Sequence, residues 1–304
     1  MIESGTHTPG VDTRDFGLPP HTALRYELPA SELRDCVADY HVLDSEGPGV
    51  ERAVNFLLPS WPAIRLILTD RSIALQVGRR VYDPLPRYAL YGTTSQAMRM
   101  TSNGGVTIGI ALKPLGWARF FDRRADMYRD RVMPLADMMA PYVVTELAAR
   151  LHASDQGAAV KGVLDEFLAG RLGPPHPEEA EIRALTALVN DDETFDLADA
   201  CERTGMSQAT LRRVAIRHFG FPPKMLLMRT RFLRSFMRML MGGDLNYASV
   251  APGYFDASHF LRDANRFLGM TPKRFMERME NPYAQAVLRA RALVTAADRA
   301  SRNG

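Results

Sequence analysis

Asp256-Ala-Ser-His-Phe-Leu-Arg-Asp-Ala-Asn-Arg-Phe-Leu-Gly-Met-Thr-Pro272 encodes one short helix with both ends specified. Asp256 is an N-cap, because its carboxylate can accept the first-turn N–H groups that have no intrahelical partner. Phe260, Ala264 and Phe267 recur at i, i+4 and i+7, so one stripe faces a core. Gly269 can take the positive φ that ends a helix, and Pro272 prevents continuation. The opposite face carries Ser258 and Arg262, flanked by His259 and Arg266. A buried stripe backed by a short cationic face suits insertion into a DNA groove.

The same plan is written 49 residues upstream in Ser207-Gln-Ala-Thr-Leu-Arg-Arg-Val-Ala-Ile-Arg-His-Phe-Gly-Phe-Pro-Pro223. Ser207 matches Asp256, Leu211 matches Phe260, Arg213 matches Arg262, Gly220 matches Gly269 and Pro223 matches Pro272. Each copy follows a second matching piece. Leu197, Ala200, Cys201 and Gly205 correspond to Leu245, Ala248, Ser249 and Gly253, now 48 residues apart. Small side chains let a first helix approach a second, and glycine takes the tight turn between them, which is what a helix-turn-helix needs. Gly-Tyr-Phe-Asp in the second turn against Gly-Met-Ser in the first accounts for the changed offset.

Residues 185–280 resemble the DNA-binding half of the AraC/XylS transcription regulators. The resemblance rests on Gly-Met-Ser-x-x-x-Leu-x-Arg, Phe-Gly-x-x-Pro, a joining helix with Arg231 and Ser235, Gly-Tyr-Phe-Asp-x-x-His-Phe-x-Arg and Gly-Met-Thr-Pro. It implies a helical domain over residues 183–282 that carries two helix-turn-helix motifs. Two positions depart from the family pattern. Pro252 stands where a helix residue is usual and shortens that helix; Ala248 replaces a larger aliphatic and leaves a smaller core contact.

The charge distribution agrees with a polyanion partner. Arg203 to Arg278 hold 14 Lys/Arg and 4 Asp/Glu, a balance of +10, which leaves the remainder at −7 of the total +3. A basic segment on an acidic remainder localises nucleic-acid binding to that segment. The length of 304 residues allows about two domains. With 46% hydrophobic and 24% charged residues the composition is that of a globular protein. No apolar run reaches a membrane span and Met1 to Pro20 have no signal core, so a cytoplasmic location is expected.

Residues 1–20, with Pro9, Gly10, Gly17, Pro19 and Pro20, read as a flexible arm. Ala63–Thr69, Ser72–Val77 and Val106–Leu112 read as strands, and Asp70-Arg71 predicts a hairpin between the first two. Gly78, Pro84, Pro86 and Asn103 to Gly105 punctuate further strands, giving a small barrel or sandwich. A helix follows at about 114–122 with Leu115, Ala118 and Phe121 on one face. Two more follow at about 137–152 and 155–171, with Leu147, Leu151, Val163, Leu164, Phe167 and Leu168 as their stripes. Residues 21–175 are thus a second domain, and the Lys113-Pro and Arg131-Val-Met-Pro-Leu135 segments resemble the cupin-like sensor half of the same family. In that resemblance the helices serve as dimer contacts; by pattern alone they equally cap the barrel. Gly173-Pro-Pro-His-Pro177 is a linker stiffened by its prolines. Residues 224–240 form a helix of roughly 25 Å, with Arg229, Arg231, Arg234 and Arg238 on it. Such a rod can hold two recognition helices near major grooves about 34 Å apart. The tail 283–304 is helical, with Ser301 to Gly304 loose.

Base contacts are expected from the N-terminal half of each recognition helix: Gln208, Ala209, Arg212 and Arg213 in the first, Ser258, His259 and Arg262 in the second, with phosphate an equal alternative for Arg212 and Arg262 and the backbone an alternative for Arg213. Thr210, Lys224 and Lys273, near helix ends, suit phosphate. His259 has a second reading as a ring packed beside Phe260. Arg231 has two readings, phosphate or an ion pair with Asp263. In the N-terminal domain Trp61, Tyr82, Tyr88, Tyr91 and Trp117 could line a pocket, with Arg65 or Arg99 answering an anionic effector. His7, His21, His41, His152 and His176 show no ligand spacing, and Cys36 has no activating partner, so no metal, cofactor or catalytic residue is expected.

The sequence therefore predicts an α+β two-domain regulator that binds double-stranded DNA at two adjacent major-groove half-sites. A small-molecule effector or homodimerisation would act through the N-terminal domain, and RNA polymerase would be a partner of an activator. A rival reading is a constitutive DNA-binding protein whose β domain binds a protein partner; a third is a cupin-type enzyme. A cavity in the β domain would favour sensing, a filled core the partner role, and converging His and Glu side chains the enzyme.

Overall fold

The computed structural model describes residues 1–191, 196–242, 254, 256–278 and 283–303. In chain order the strands are β1 (Thr22–Glu27), β2 (Val37–Ser45), β3 (Ala53–Leu57), β4 (Ala63–Ile67), β5 (Ala74–Val77), β6 (Arg80–Tyr82), β7 (Tyr88–Tyr91), β8 (Met98–Ser102), β9 (Thr107–Leu112) and β10 (Val132–Pro134). They form two antiparallel sheets, β1-β2-β9-β4-β7-β10 and β3-β8-β5-β6. The sheets do not close on each other, so of the barrel and the sandwich the sandwich is the one formed.

Strand alternation gives the larger sheet two different faces. Tyr40, Val42, Ile64, Leu66, Ile108 and Ile110 point to a core shared with helices α1 (Pro114–Phe121), α2 (Pro141–Ala153) and α3 (Val160–Ala169). Ile67, Ala89 and Tyr91 point the other way, toward Leu75, Val77 and Met98 of the smaller sheet. The second and third helices begin later than expected, at Pro141 and Val160. Pro141 explains the first delay, since proline is accepted at a helix start and not inside.

The expected hairpin between residues 63–69 and 72–77 does not form. Strand β4 pairs with β7 and β9, whereas β5 pairs with β6 and β8 in the other sheet. The chain crosses between sheets here, and the crossing buries Ile67, Ile73 and Leu75 in one inter-sheet core. A two-residue turn would have laid both strands in one sheet and lost that burial.

Both termini are more engaged than expected. Phe16 is fully buried with Leu24, Tyr26, Ala290 and Val294, and Gly5 bridges to Arg25. Residues 1–20 thus carry contacts that a flexible arm lacks. Helix α10 (Tyr283–Asn303) packs back on β1, runs through Ser301, and holds Arg34 through Asp298 at 2.9 Å. It also brings Arg291 to within 3.4 Å of the buried Asp39, with His41 Nδ1 3.6 Å away.

The remaining helices are α4 (Glu179–Asn190), α5 (Leu197–Thr204), α6 (Gln208–Val214), α7 (Pro223–Gly242), α8 (Ala257–Leu268) and α9 (Pro272–Arg278). Their cores are continuous with the β domain. Ile182, Leu185, Leu211, Val214 and Phe219 belong to the same cluster as Ile64 and Trp117. Phe56 of β3 sits among Phe232, Phe236, Phe260, Phe267 and Phe275, with its ring 5.5 Å from that of Phe275. Arg229 of α7 is 2% exposed, lies 4.7 Å from the Trp61 ring and 5.4 Å from that of Phe221, and donates from Nε to the Thr94 carbonyl at 3.0 Å.

Gly220 (φ 81°) ends the first recognition segment against the β domain, where an added Cβ would lie 2.3 Å from Thr93 Cγ2. Gly269 (φ 74°) has the same conformation with nothing within 4 Å. Alanine at Gly269 therefore costs only the backbone strain, about 1 kcal/mol. Gly220→Ala adds a clash and should cost about 2 kcal/mol more; urea unfolding of the two variants measures the difference.

Burial pushes the Asp39 carboxyl up, but Arg291 and His41 pull it further down, leaving it at about 2. With an ordinary carboxyl near 3.9 in the unfolded chain, this stabilisation is full above about pH 4 and is lost as pH falls toward 2. Arg291→Ala is expected to move the midpoint of acid unfolding to higher pH, as followed by circular dichroism.

Candidate nucleic-acid interface

Each recognition helix is placed by the caps its sequence encodes. Asp196 and Asp199 form a reciprocal capping box on α5, and Gly205 (φ 66°) makes the turn. Ser207 then caps α6, accepting from the Thr210 N–H, and a π-helical stretch, Ala215–Phe219, extends α6 to Gly220. In the second copy Asp256 accepts from the His259 N–H at 2.7 Å and Gly269 closes α8. The first helix of that copy, with Leu245, Ala248, Ser249, Pro252 and Gly253, lies outside the described residues. Helix α7 joins the copies; its 20 residues span about 30 Å.

Leu211 and Val214 of α6 are buried, which turns Gln208, Ala209 and Arg212 to solvent. Phe260, Ala264 and Phe267 of α8 are fully buried, which does the same for Ser258, Arg262 and Arg266. Lys224, Lys273 and Arg274 are exposed near the starts of α7 and α9. Thr210 is half-buried, its hydroxyl accepting from Ser207 Oγ at 3.0 Å. These side chains form two cationic faces suited to base edges and phosphates.

The two faces are not equivalent. Arg213 contacts Glu178, and Arg217, one turn further on, lies 3.7 Å from the same carboxylate. Their counterparts at the 49-residue offset, Arg262 and Arg266, make no ion pair among the described residues. Glu178 comes from the end of the proline-rich linker, and no local sequence signal marked it. Arg217 could have been found, because the repeat aligns it with Arg266.

In the second motif Arg231 and His259 both have partners within the fold. Arg231 donates to Asp263 Oδ2 at 2.9 Å, and Tyr254 Oη donates to the same oxygen at 2.9 Å. The guanidinium lies 4.5 Å from the Tyr254 ring centroid. His259 is half-buried, with Nε2 3.2 Å from Arg231 Nη2 and its ring edge-on to Tyr254 rather than beside Phe260 alone. Burial, with Asp263 alongside, raises the Tyr254 hydroxyl, so it stays a donor. This knot fixes α8 on α7.

Residues 200–278 match the family described as a helix-turn-helix domain. The C-terminal region is an AraC-type helix-turn-helix domain. No curated protein sequence matches the chain. Among solved structures, ToxT from Vibrio cholerae O395 is 13% identical, over 76% of this chain and 95% of that one, with a TM-score of 0.44. Wild-type ToxT from Vibrio cholerae strain SCE256 with bound unsaturated fatty acid is 12% identical, over 76% and 92%, at 0.43. The AraC-like transcriptional activator CuxR is 13% identical, over 72% and 88%, at 0.26. With TM-scores below 0.5, none of these likenesses decides a function. Among the described residues no helix is long and apolar enough to cross a membrane.

The expected effector residues are not all brought together. Arg65 and Tyr91 line one cavity between the sheets, with Asn55, Leu57, Ile67 and Met100. Trp61 instead packs on Phe219 and Arg229, and Tyr82 lines a separate groove and accepts from the Val132 N–H at 3.0 Å. Arg99 is exposed on β8, Tyr88 packs on the helix-covered face, and Trp117, on α1, is buried in the core beneath that helix's inner face. Strand alternation turns Tyr88 and Arg99 away from the cavity, whereas Trp61 and Trp117 lie off the strands and Tyr82 sits on the edge strand β6.

Arg212→Ala or Arg262→Ala should weaken binding to a specific duplex by about 1–3 kcal/mol where the arginine reads a base. Glu178→Gln, which releases Arg213 and Arg217, should tighten binding and steepen its salt dependence. Fluorescence anisotropy over a salt series measures both.

Proposed function

We propose that this chain is a sequence-specific transcription regulator that reads two adjacent major-groove half-sites and is controlled through its N-terminal sandwich. The helix-turn-helix match and the two exposed cationic faces support the DNA-binding part. One observation supports the control. Strand β3 is a wall with two sides: Asn55 and Leu57 line the inter-sheet cavity, while Val54, Phe56 and Leu58 pack on the core of the second motif.

The inter-sheet cavity is about 40 Å³, so sensing a molecule larger than water requires the two sheets to part. Inside it Asn55 Oδ1 and Arg65 Nε are buried without a hydrogen-bond partner. Such groups cost free energy until a ligand satisfies them. Once the sheets part, a small effector with an acidic group toward Arg65, whose Nη1 meets His41, and a donor toward Asn55 would satisfy these two atoms. Movement of β3 around it would reach Phe56, and through Phe56 the packing of α8 and α9. RNA polymerase is the further partner if the protein activates.

The test is selection of genomic fragments by the full-length chain, followed by binding to the best site. The expected result is one site with half-sites about 10–10.5 base pairs apart, weakened by Arg212→Ala and Arg262→Ala at that sequence only. Leu57→Ala, remote from DNA, should change affinity for the same site. Sequence-blind binding would sink the reading.

A further inference from the structure

Three donor side chains from distant stretches meet where the linker touches the first motif. His176 lies among the linker prolines, Glu178 starts the segment leading into α4, and His218 sits in the π-helical extension of α6. One donor atom of each lies within 4.8 Å of the others. The two imidazoles meet edge to face with centroids 4.8 Å apart. His218 Nε2 is 2.8 Å from Glu178 Oε2, and the Glu178 N–H donates to His176 Nδ1 at 3.1 Å. His218 is 2% exposed, and its Nδ1 has no hydrogen-bond partner.

We propose that His176, Glu178 and His218 form a binding site for a divalent transition metal of the zinc type. Two imidazole nitrogens and one carboxylate oxygen suit Zn²⁺, which takes three protein ligands and leaves a fourth position for water. Ca²⁺ and Mg²⁺ prefer oxygen ligands and match the set poorly. Zinc–nitrogen bonds of about 2.0–2.1 Å require the donors to close in by about 1 Å, within reach of side-chain rotation. The metal takes the place of the proton between His218 and Glu178.

Arg213 and Arg217 are the competing cations, since both face Glu178. Each is partly exposed and can turn to solvent. The metal and Arg213 therefore contend for one carboxylate, and metal binding would release the arginine that the repeat aligns with Arg262.

The experiment uses the full-length chain, stripped with a chelator and titrated with Co²⁺ and then Zn²⁺. One Co²⁺ per chain is expected, with the visible absorption of a four-coordinate site, displaced by Zn²⁺. His176→Ala, at a half-buried position that should not unfold the chain, is expected to weaken uptake at least about 100-fold. Arg213→Ala should strengthen it, and His152→Ala, at an exposed histidine, should leave it unchanged. Absence of stoichiometric uptake by the folded protein, or uptake that survives His176→Ala, overturns the proposal. The readout does not involve DNA, so it stands apart from the regulator reading.

Discussion

Arg229 is the constraint on which the arrangement of the two halves depends. Its guanidinium is buried between Trp61 and Phe221 and donates to the Thr94 carbonyl. Burial lowers it to about 9, with Asp130 acting weakly in the opposite direction. A buried cation without a paired carboxylate is costly, so the aromatic faces and the carbonyl must stay in place around it. Trp61 and Thr94 belong to the sandwich, whereas Phe221 and Arg229 belong to the helical domain. Separating the halves would expose those rings and break the hydrogen bond.

That clamp changes how the linker should be understood. Gly173 to Pro177 joins two bodies whose cores already touch, and the Gly173 carbonyl is held by Arg119. Strand β3 also joins the two halves, since consecutive residues on a strand face opposite ways. Asn55 and Leu57 see the cavity, and Phe56 sees the second motif. A removed N-terminal domain would leave Phe56's place among five phenylalanines vacant.

The two copies of the motif share a design and differ in their electrostatic surroundings. Arg213 and Arg217 are held by Glu178, while Arg262 and Arg266 project from α8. A carboxylate beside two guanidinium groups competes with phosphate for the same hydrogen-bond donors. The first motif thus presents a smaller free cationic face than the second. The difference arises from one residue that the repeat does not contain.

The sequence by itself determined the helical domain. Caps, αL glycines, prolines and the apolar stripe are local signals, and each lies within a few residues of the feature it specifies. The repeat doubled them, which is why Gln208, Ala209, Arg212, Ser258 and Arg262 were placed on exposed faces correctly. The Arg231–Asp263 pair was one of two readings because both residues lie on helices of known phase. Tertiary structure alone decided the rest. Which sheet β5 joins depends on burying Ile67 and Ile73 across the sandwich, a long-range gain with no local mark. The cavity keeps Arg65 and Tyr91 and loses Arg99 because face, rather than residue type, assigns a strand side chain, while Trp61 falls between strands and Tyr82 on an edge strand. His176 and His218 lie 42 residues apart, so only the docking of the linker on the first motif brings them to Glu178. Local chemistry is written in neighbouring residues, whereas contacts between distant segments are set by how the cores pack.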